Sequence, residues 1–384
     1  MKIRPIKFFI ALMTLLGGTA LLCDAAATGG RVLAWGRKDY NQIIVPANLT
    51  NATAVAAGVY HSLALRNDGT VVAWGDNLDG KTNVPPTLTD ALAIAAGNLH
   101  SLALRSNGTV IAWGLNSFGQ TNIPAGLSGI AAIACGGTHN VVLRSNGTVV
   151  AWGNNSVSQT NVPAGLTNVV AIAAGGDHSL ALRQDGTVVF WGYQASNPPN
   201  IAPTLSNIAA IGCGTEHSLA VRSNGTLVVW GFNSHTQTNV PPGVTNVAAA
   251  TGGLAHSFAL RTNRTVIAWG NNSSSQTNVL SDLTNVLAIA TGSAHNLVIV
   301  DNATIIPTAP WFDTSPGTPQ LTSTGLALRV KGLVGRGFVV LTATTNFVDW
   351  DLLTIRTSFV GDLNYVDASA TNRPRRFYRI SEQR

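Results

Sequence analysis

Charge is scarce in this chain: of 384 residues only 10% are charged, whereas 45% are hydrophobic. Most of the chain must therefore pack rather than solvate, which excludes disorder. Cysteine is scarcer still, at three residues, so there is no disulfide framework. Cys23 falls in the N-terminal segment, and Cys135 and Cys213 read as small buried residues rather than a bonded pair. Mean hydropathy is positive at +0.22, yet beyond the N-terminus no apolar run approaches the roughly 18 residues of a spanning helix. A 3.6-residue periodicity is missing too, while Gly, Asn, Val and Thr abound, which argues against helices. The chain has no Walker loop, no His-Glu-x-x-His, no Gly-x-Ser-x-Gly and no Cys-x-x-Cys. Its few scattered acids give little material for a paired-carboxylate glycosidase.

Residues 1–27 read as a secretory signal, with basic Lys2, Arg4 and Lys7, an apolar run from Phe8 to Leu22, and small Ala25, Ala26 and Ala27. A secreted or cell-envelope location follows as the expectation, with no membrane span after cleavage. Leu22 before Cys23 is large for a lipid-anchor signal. Cleavage leaves a net charge of +4, most of it in the tail, where Arg373, Arg375, Arg376 and Arg379 cluster. The body is then near neutral, which argues against a surface that tracks nucleic-acid phosphates.

What the chain has instead is a repeat. Trp35, Trp74, Trp113, Trp152, Trp191, Trp230 and Trp269 each precede a glycine and stand 39 residues apart. His61, His100, His139, His178, His217, His256 and His295 keep the same spacing. A fixed period of this length, with strand-like content in each unit, marks a propeller or solenoid. In 168–192, Val169 to Ala174 reads as one strand, His178 to Arg183 as a second, and Thr187 to Trp191 as a third. Asp185-Gly186 supplies the left-handed positions of a tight hairpin, and Arg264 and Ala303 in the turn-glycine register predict two looser ones. The strands are apolar on both faces, and only the next copy is available to cover them. The fold predicted is an all-β seven-bladed propeller over 29–305. Arg31 to Gly36 supplies the last third of a unit and 285–304 the first two thirds, so the chain's ends close one blade and remove the open edges.

The period ends near Pro307. A Pro-rich linker, 306–319, leads to 320–384, where strand-like runs at Gly325 to Val330, Gly337 to Ala343 and Arg376 to Ile380 suggest a small β-sandwich with Phe347, Trp350, Phe377 and Tyr378 as its core.

Histidines and tryptophans present in every unit read as blade-building residues, since a catalytic site needs different groups converging in one place. The expectation is histidine hydrogen-bonded to backbone at a strand start and tryptophan buried between blades. Gln, Thr, Asn and Pro in the loop after each Trp-Gly, as at Gln120 to Pro124, read as partners for loop backbone groups. Positions that break the rhythm are candidates for specificity. Two residues past each Trp stand Arg37, Asp76, Leu115, Asn154, Tyr193, Phe232 and Asn271, and three further on stand Tyr40, Asp79, Phe118, Val157, Ser196, His235 and Ser274. Tyr40, Tyr60, Phe118, Tyr193 and Phe232 are the candidate binding residues, aromatic anchors on one rim.

The unit G-x-x-H-S-L-A-L-x-x-x-G-T-V-x-A-W-G-x-N-x-x-G-Q-T-x-V-P, read from Gly97 to Pro124, resembles the repeat of the regulator-of-chromosome-condensation superfamily. It is most similar to the bacterial short-repeat branch that includes β-lactamase inhibitor protein II. The resemblance implies a propeller that binds proteins on one rim, with no cofactor and no catalysis. Unlike that inhibitor, the chain places a single aromatic, Tyr60, just before the histidines. The expected function is a monomeric, non-enzymatic module for an unknown protein or cell-surface ligand. The alternatives are a structural or surface-display protein, a β-lactamase-type inhibitor and a carbohydrate-active enzyme.

Overall fold

The computed structural model describes residues 29–193, 205–281 and 283–301, together with seven strands between 311 and 383. The chain divides into two compact units, one holding the repeats and the other the later strands. In the first, seven three-stranded antiparallel sheets follow one another, six of them each built from one 39-residue period and the seventh from both ends of the repeat region. Ile130–Cys135, His139–Arg144 and Val149–Gly153 form one such blade. The first strand of every blade meets the first strands of both neighbours, which puts it innermost around the axis. Arg31–Gly36 pairs with His295–Val300, which pairs in turn with Val286–Thr291, so the two ends of the propeller share one sheet.

A middle strand such as His139–Arg144 is buried from His139 through Leu143. Neither face of this strand reaches water, and what covers it is the adjoining blade: Leu102 and Leu104 pack with Val142 and Trp152 of the next sheet. The core is thus a set of interblade seams. All seven repeat tryptophans are buried, and each indole needs a hydrogen-bond acceptor there. Trp74 Nε1 donates to the Gln42 carbonyl at 2.8 Å, Trp113 to that of Lys81 at 2.9 Å, and Trp152 to that of Gln120 at 3.1 Å.

The hairpins differ from the sequence expectation. Gly186 alone is left-handed (φ 79°), Gly186 N–H donates to the Arg183 carbonyl, and Arg183 N–H donates to that of Thr187. This is a three-residue loop, a type I turn closed by a glycine bulge. Arg264 does not loosen its hairpin: it takes the glycine's conformation (φ 65°) and keeps the bond to the Arg261 carbonyl at 2.9 Å. Ala303 lies outside the described residues. The first strands also carry a bulge that the sequence did not signal, as between Ile130 and Ala132.

The histidines link the blades. Instead of backbone, each Nε2 meets a side chain of the next blade: His61 with Ser101 at 2.9 Å, His100 with Asn140 at 2.8 Å, and so on to His295 with Ser62 at 3.1 Å. His139–Ser179, His178–Ser218, His217–Ser257 and His256–Asn296 complete a closed ring of seven links. The proton's place follows from the partners. Asn140 Nδ2 donates to the Gln120 carbonyl and Ser62 Oγ to that of Gln42. Asn140 Oδ1 and Ser62 Oγ are therefore left to accept, so Nε2 carries the hydrogen. Nδ1 of His61 and His100 then has no partner and lies against a glycine. A Cβ on Gly97 would overlap His100 Cε1 and the Gly136 carbonyl oxygen, so the repeat needs glycine there.

Burial holds these rings neutral, with pKa values lowered to about 3 for His61, His139, His217 and His295 and to about 4 for His100, His178 and His256.

In the second unit, Gly325–Val334 pairs with Trp311–Phe312, Gln320–Thr322 and Val360–Asp367. Phe338–Thr344 lies between Asp351–Thr357 and Phe377–Gln383. The predicted core residues Phe347 and Trp350 lie outside the described residues, and Phe377 and Tyr378 open the last strand.

Three tests follow from these contacts. Because the folded pKa values lie below the unfolded value of about 6.5, the unfolded chain takes protons first as pH falls. Stability is complete above that value and is lost from about pH 6.5 downward. At about pH 5.5 each histidine costs on the order of 1 kcal/mol, so that the seven together approach the ~5–15 kcal/mol stability of a whole domain. A cooperative loss of β circular dichroism between about pH 5 and 6 is expected; a native spectrum at about pH 4 would contradict it. Trp152→Ala should lower stability by about 3–5 kcal/mol in urea unfolding. Arg264→Gly should raise it by roughly 0.5–1 kcal/mol by relieving the left-handed arginine.

Candidate functional site

Each histidine opens a middle strand opposite the glycine that ends the outer strand, as His61 faces Gly75. The loop before the histidine and the loop after Trp-Gly therefore emerge together, and Asp76 N–H donating to the Tyr60 carbonyl at 2.9 Å ties one to the other. All five candidate aromatics lie on these loops and hence on one face of the propeller. The hairpins emerge on the opposite face.

Backbone bonds between blades make the pre-histidine loops a second ring, as Asn98 N–H donates to the Gly137 carbonyl at 3.1 Å and Gly137 N–H to that of Gly176 at 2.8 Å. The longer loops are fixed from within. Gln120 Oε1 accepts from Phe118 N–H at 2.8 Å, and Asn116 Oδ1 accepts from Thr121 N–H at 2.9 Å. The buried Gln side chain thus holds the backbone of the exposed aromatic directly, which presents Phe118 on a rigid stem.

Structure brings two of the predicted residues together. Tyr40 and Tyr60, from loops of adjoining blades, have ring centroids 4.5 Å apart. The Arg37 guanidinium lies 5.3 Å from the Tyr60 ring centre and pairs with Asp39 at 2.7 Å. Phe118, Tyr193 and Phe232 stand on separate blades, all exposed, as is Tyr40. The sequence reading passed over Leu78, 87% exposed, and Ile44, 61% exposed. Their signal was present: Leu78 replaces the Ser, Asp or Ala of its register, and Ile44 replaces an Asn.

Two of the variable positions are committed to packing. Lys81 replaces the loop Gln and is wholly buried, with Nζ 2.7 Å from Asp76 Oδ2 and 3.4 Å from Asp79 Oδ2. The hydrogen bond from Lys81 pulls the Asp76 carboxyl below the usual range. An unpaired buried ammonium would be costly, so these two acids answer to the lysine. Cys135 and Cys213 are free thiols, pushed up by burial and so unreactive.

Chemically the face offers aromatic and apolar contact, the Arg37 guanidinium, Lys38 and scattered carboxylates at Asp39, Asp177 and Glu216. Among the described residues no group of three His, Cys, Asp or Glu comes together to hold a metal. The ring histidines are buried and titrate far below neutrality, which leaves them without access to a substrate.

Comparison with known proteins follows this architecture. The model of the regulator of chromosome condensation (RCC1) repeat matches residues 52–81, 92–120, 130–159, 169–197, 208–237 and 244–276. No curated protein matches the sequence. Among solved structures, Prp20p from Saccharomyces cerevisiae is similar at 20% identity and a TM-score of 0.58, over 70% of this chain and 91% of that one. Yeast RCC1 (Prp20) with bound Kap60 gives 18% identity and 0.58 over 77% and 96%, and human WBSCR16 gives 19% and 0.57 over 71% and 100%.

The expectation of a secreted or cell-envelope location is corrected by these relatives: Prp20p and the Kap60-bound form are nuclear or cytoplasmic proteins. That expectation rested on residues 1–27, which lie outside the described residues, and the propeller itself holds free thiols. Family and fold are those of a non-catalytic repeat scaffold used for binding. With seven closed blades and six matched repeats, the chain belongs to the regulator of chromosome condensation (RCC1) repeat superfamily.

Proposed function

We propose that this chain is a non-enzymatic binding module that recognises a protein partner through the face bearing the Trp-Gly loops. The observation that carries the reading is the Tyr40–Tyr60 pair with Arg37 against it, on a face that also exposes Phe118, Tyr193 and Phe232, with the backbones of Tyr40 and Phe118 held by the buried Gln42 and Gln120 side chains. Tyr and Arg on rigid supports are the residues that dominate binding energy at protein interfaces, because they bury large area at small entropic cost. Two relatives support the reading in kind. Prp20p is described by its binding to Gsp1p and histones, and yeast RCC1 is seen bound to Kap60. Within the superfamily, the resemblance of the uninterrupted 39-residue unit to the short-repeat branch that includes β-lactamase inhibitor protein II supports kinship with that branch.

As bait in an extract of its own cells, the wild-type chain should retain a protein that Tyr40→Ala/Tyr60→Ala and Phe118→Ala/Phe232→Ala release, with losses of about 2–4 kcal/mol for the tyrosine pair. Melting temperatures should stay at the wild-type value, and Ser223→Ala on the hairpin face should leave capture intact. Equal capture by all four proteins would remove this face from recognition.

A further inference from the structure

The two faces of the propeller differ in charge. Arg66, Arg105, Arg144, Arg183, Arg222 and Arg261 each end a middle strand, so the topology sets one on the hairpin rim of six successive blades. Among the described residues the acids of that rim are Asp68, Asp90, Asp185 and Asp301, whereas the Trp-Gly face carries more acids than bases. Blade construction does not require the guanidinium, because the closing blade has a fully buried Val300 at the same register.

Neutralisation is uneven around the rim. Arg105 is paired with Asp90 at 2.8 Å. The carboxyls of Asp68 and Asp185 are held below the usual range chiefly by hydrogen bonds from Thr70 and Thr187, with the nearby charges of Arg66 and Arg183 lowering them further. Among the described residues Arg144, Arg222 and Arg261 have neither kind of partner: Gly129, Asn207 and Asn246 stand where Asp90 stands, and Asn146, Asn224 and Asn263 where Asp185 stands. Each is half-buried, so its stem is fixed while the head meets water. Arg183, between the first two, lines an open polar depression with Thr167, Asn168, Gln184 and Asp185. Four consecutive blades therefore present a basic arc.

We propose that this arc, Arg144 to Arg261 on the hairpin rim, is a second binding surface that takes a carboxylate-rich polypeptide segment. Planar guanidinium forks spaced one per blade suit separate carboxylates, each received by two N–H groups. Nucleic acid fits less well. Duplex DNA bears a charge about every 1.7 Å, and single strands are held by stacked aromatics, whereas the exposed aromatics among the described residues, Tyr40, Phe118, Tyr193 and Phe232, occupy the other face.

The test uses the full chain with poly-L-glutamate, and duplex DNA as the rival probe. Wild type should bind poly-L-glutamate, and more weakly as salt rises above about 0.1 M. Arg144→Gln/Arg222→Gln/Arg261→Gln should bind roughly tenfold more weakly or less well still, with an unchanged melting temperature. Ser117→Glu/Ser156→Glu/Ser273→Glu shifts net charge by the same amount on the opposite face and should bind as wild type does. Tyr40→Ala/Tyr60→Ala should also keep this binding, which separates the two surfaces. Absence of binding, equal losses in the two charge variants, or tighter binding of DNA would overturn the proposal.

Discussion

Seven buried hydrogen bonds from histidine to the following blade are the constraint on which this molecule depends. Each needs a neutral imidazole, a Ser or Asn one strand away in the next sheet, and a glycine that lets the ring lie flat on the backbone. The same Ser and Asn side chains donate to loop carbonyls that also accept the tryptophan indoles, as Gln42 does for Ser62 and Trp74. Among the described residues, blade, seam and loop are thereby joined through one carbonyl in six repeats, those of Gln42, Lys81, Gln120, Gln159, Gln237 and Gln276. Removing any participant strands a buried polar group, which costs more than the bond contributes.

That arrangement leaves the two rims free to vary for different reasons. On the Trp-Gly face the loop backbone is held by Gln and Asn side chains, so the intervening residues are open to change. On the hairpin face the turn is held by Asn or Asp binding the following Thr, as Asn107 Oδ1 accepts from Thr109 N–H at 3.0 Å. Aromatics collect on the first face and arginines on the second, neither being needed to build a blade.

Blade number, strand order and closure were legible because the period is unbroken and Trp-Gly marks every outer strand. The hairpin type was not, since Asn-Gly and Asp-Gly suit both two- and three-residue loops, and only the strand register decides. The histidine partners were half visible: every histidine of the repeat is followed by Ser or Asn, but that this residue answers the previous blade's histidine is a fact of the fold. Among the candidate site residues, departures from the repeat pointed to Tyr40, Tyr60 and Phe118, of which Tyr40 and Phe118 are exposed. It also flagged Asp76 and Asp79, which belong to Lys81 in the protein's interior. Charge summed over the repeats looked near neutral because opposite excesses on two faces cancel.

The closing blade has a mechanical consequence. The chain leaves the propeller from His295–Val300, the middle strand of its sheet, flanked by Arg31–Gly36 on one side and Val286–Thr291 on the other. Tension on the C-terminal segment therefore loads two rows of backbone hydrogen bonds side by side, in shear, and spreads into both ends of the ring at once. A chain leaving from an outer strand would instead peel, one bond at a time.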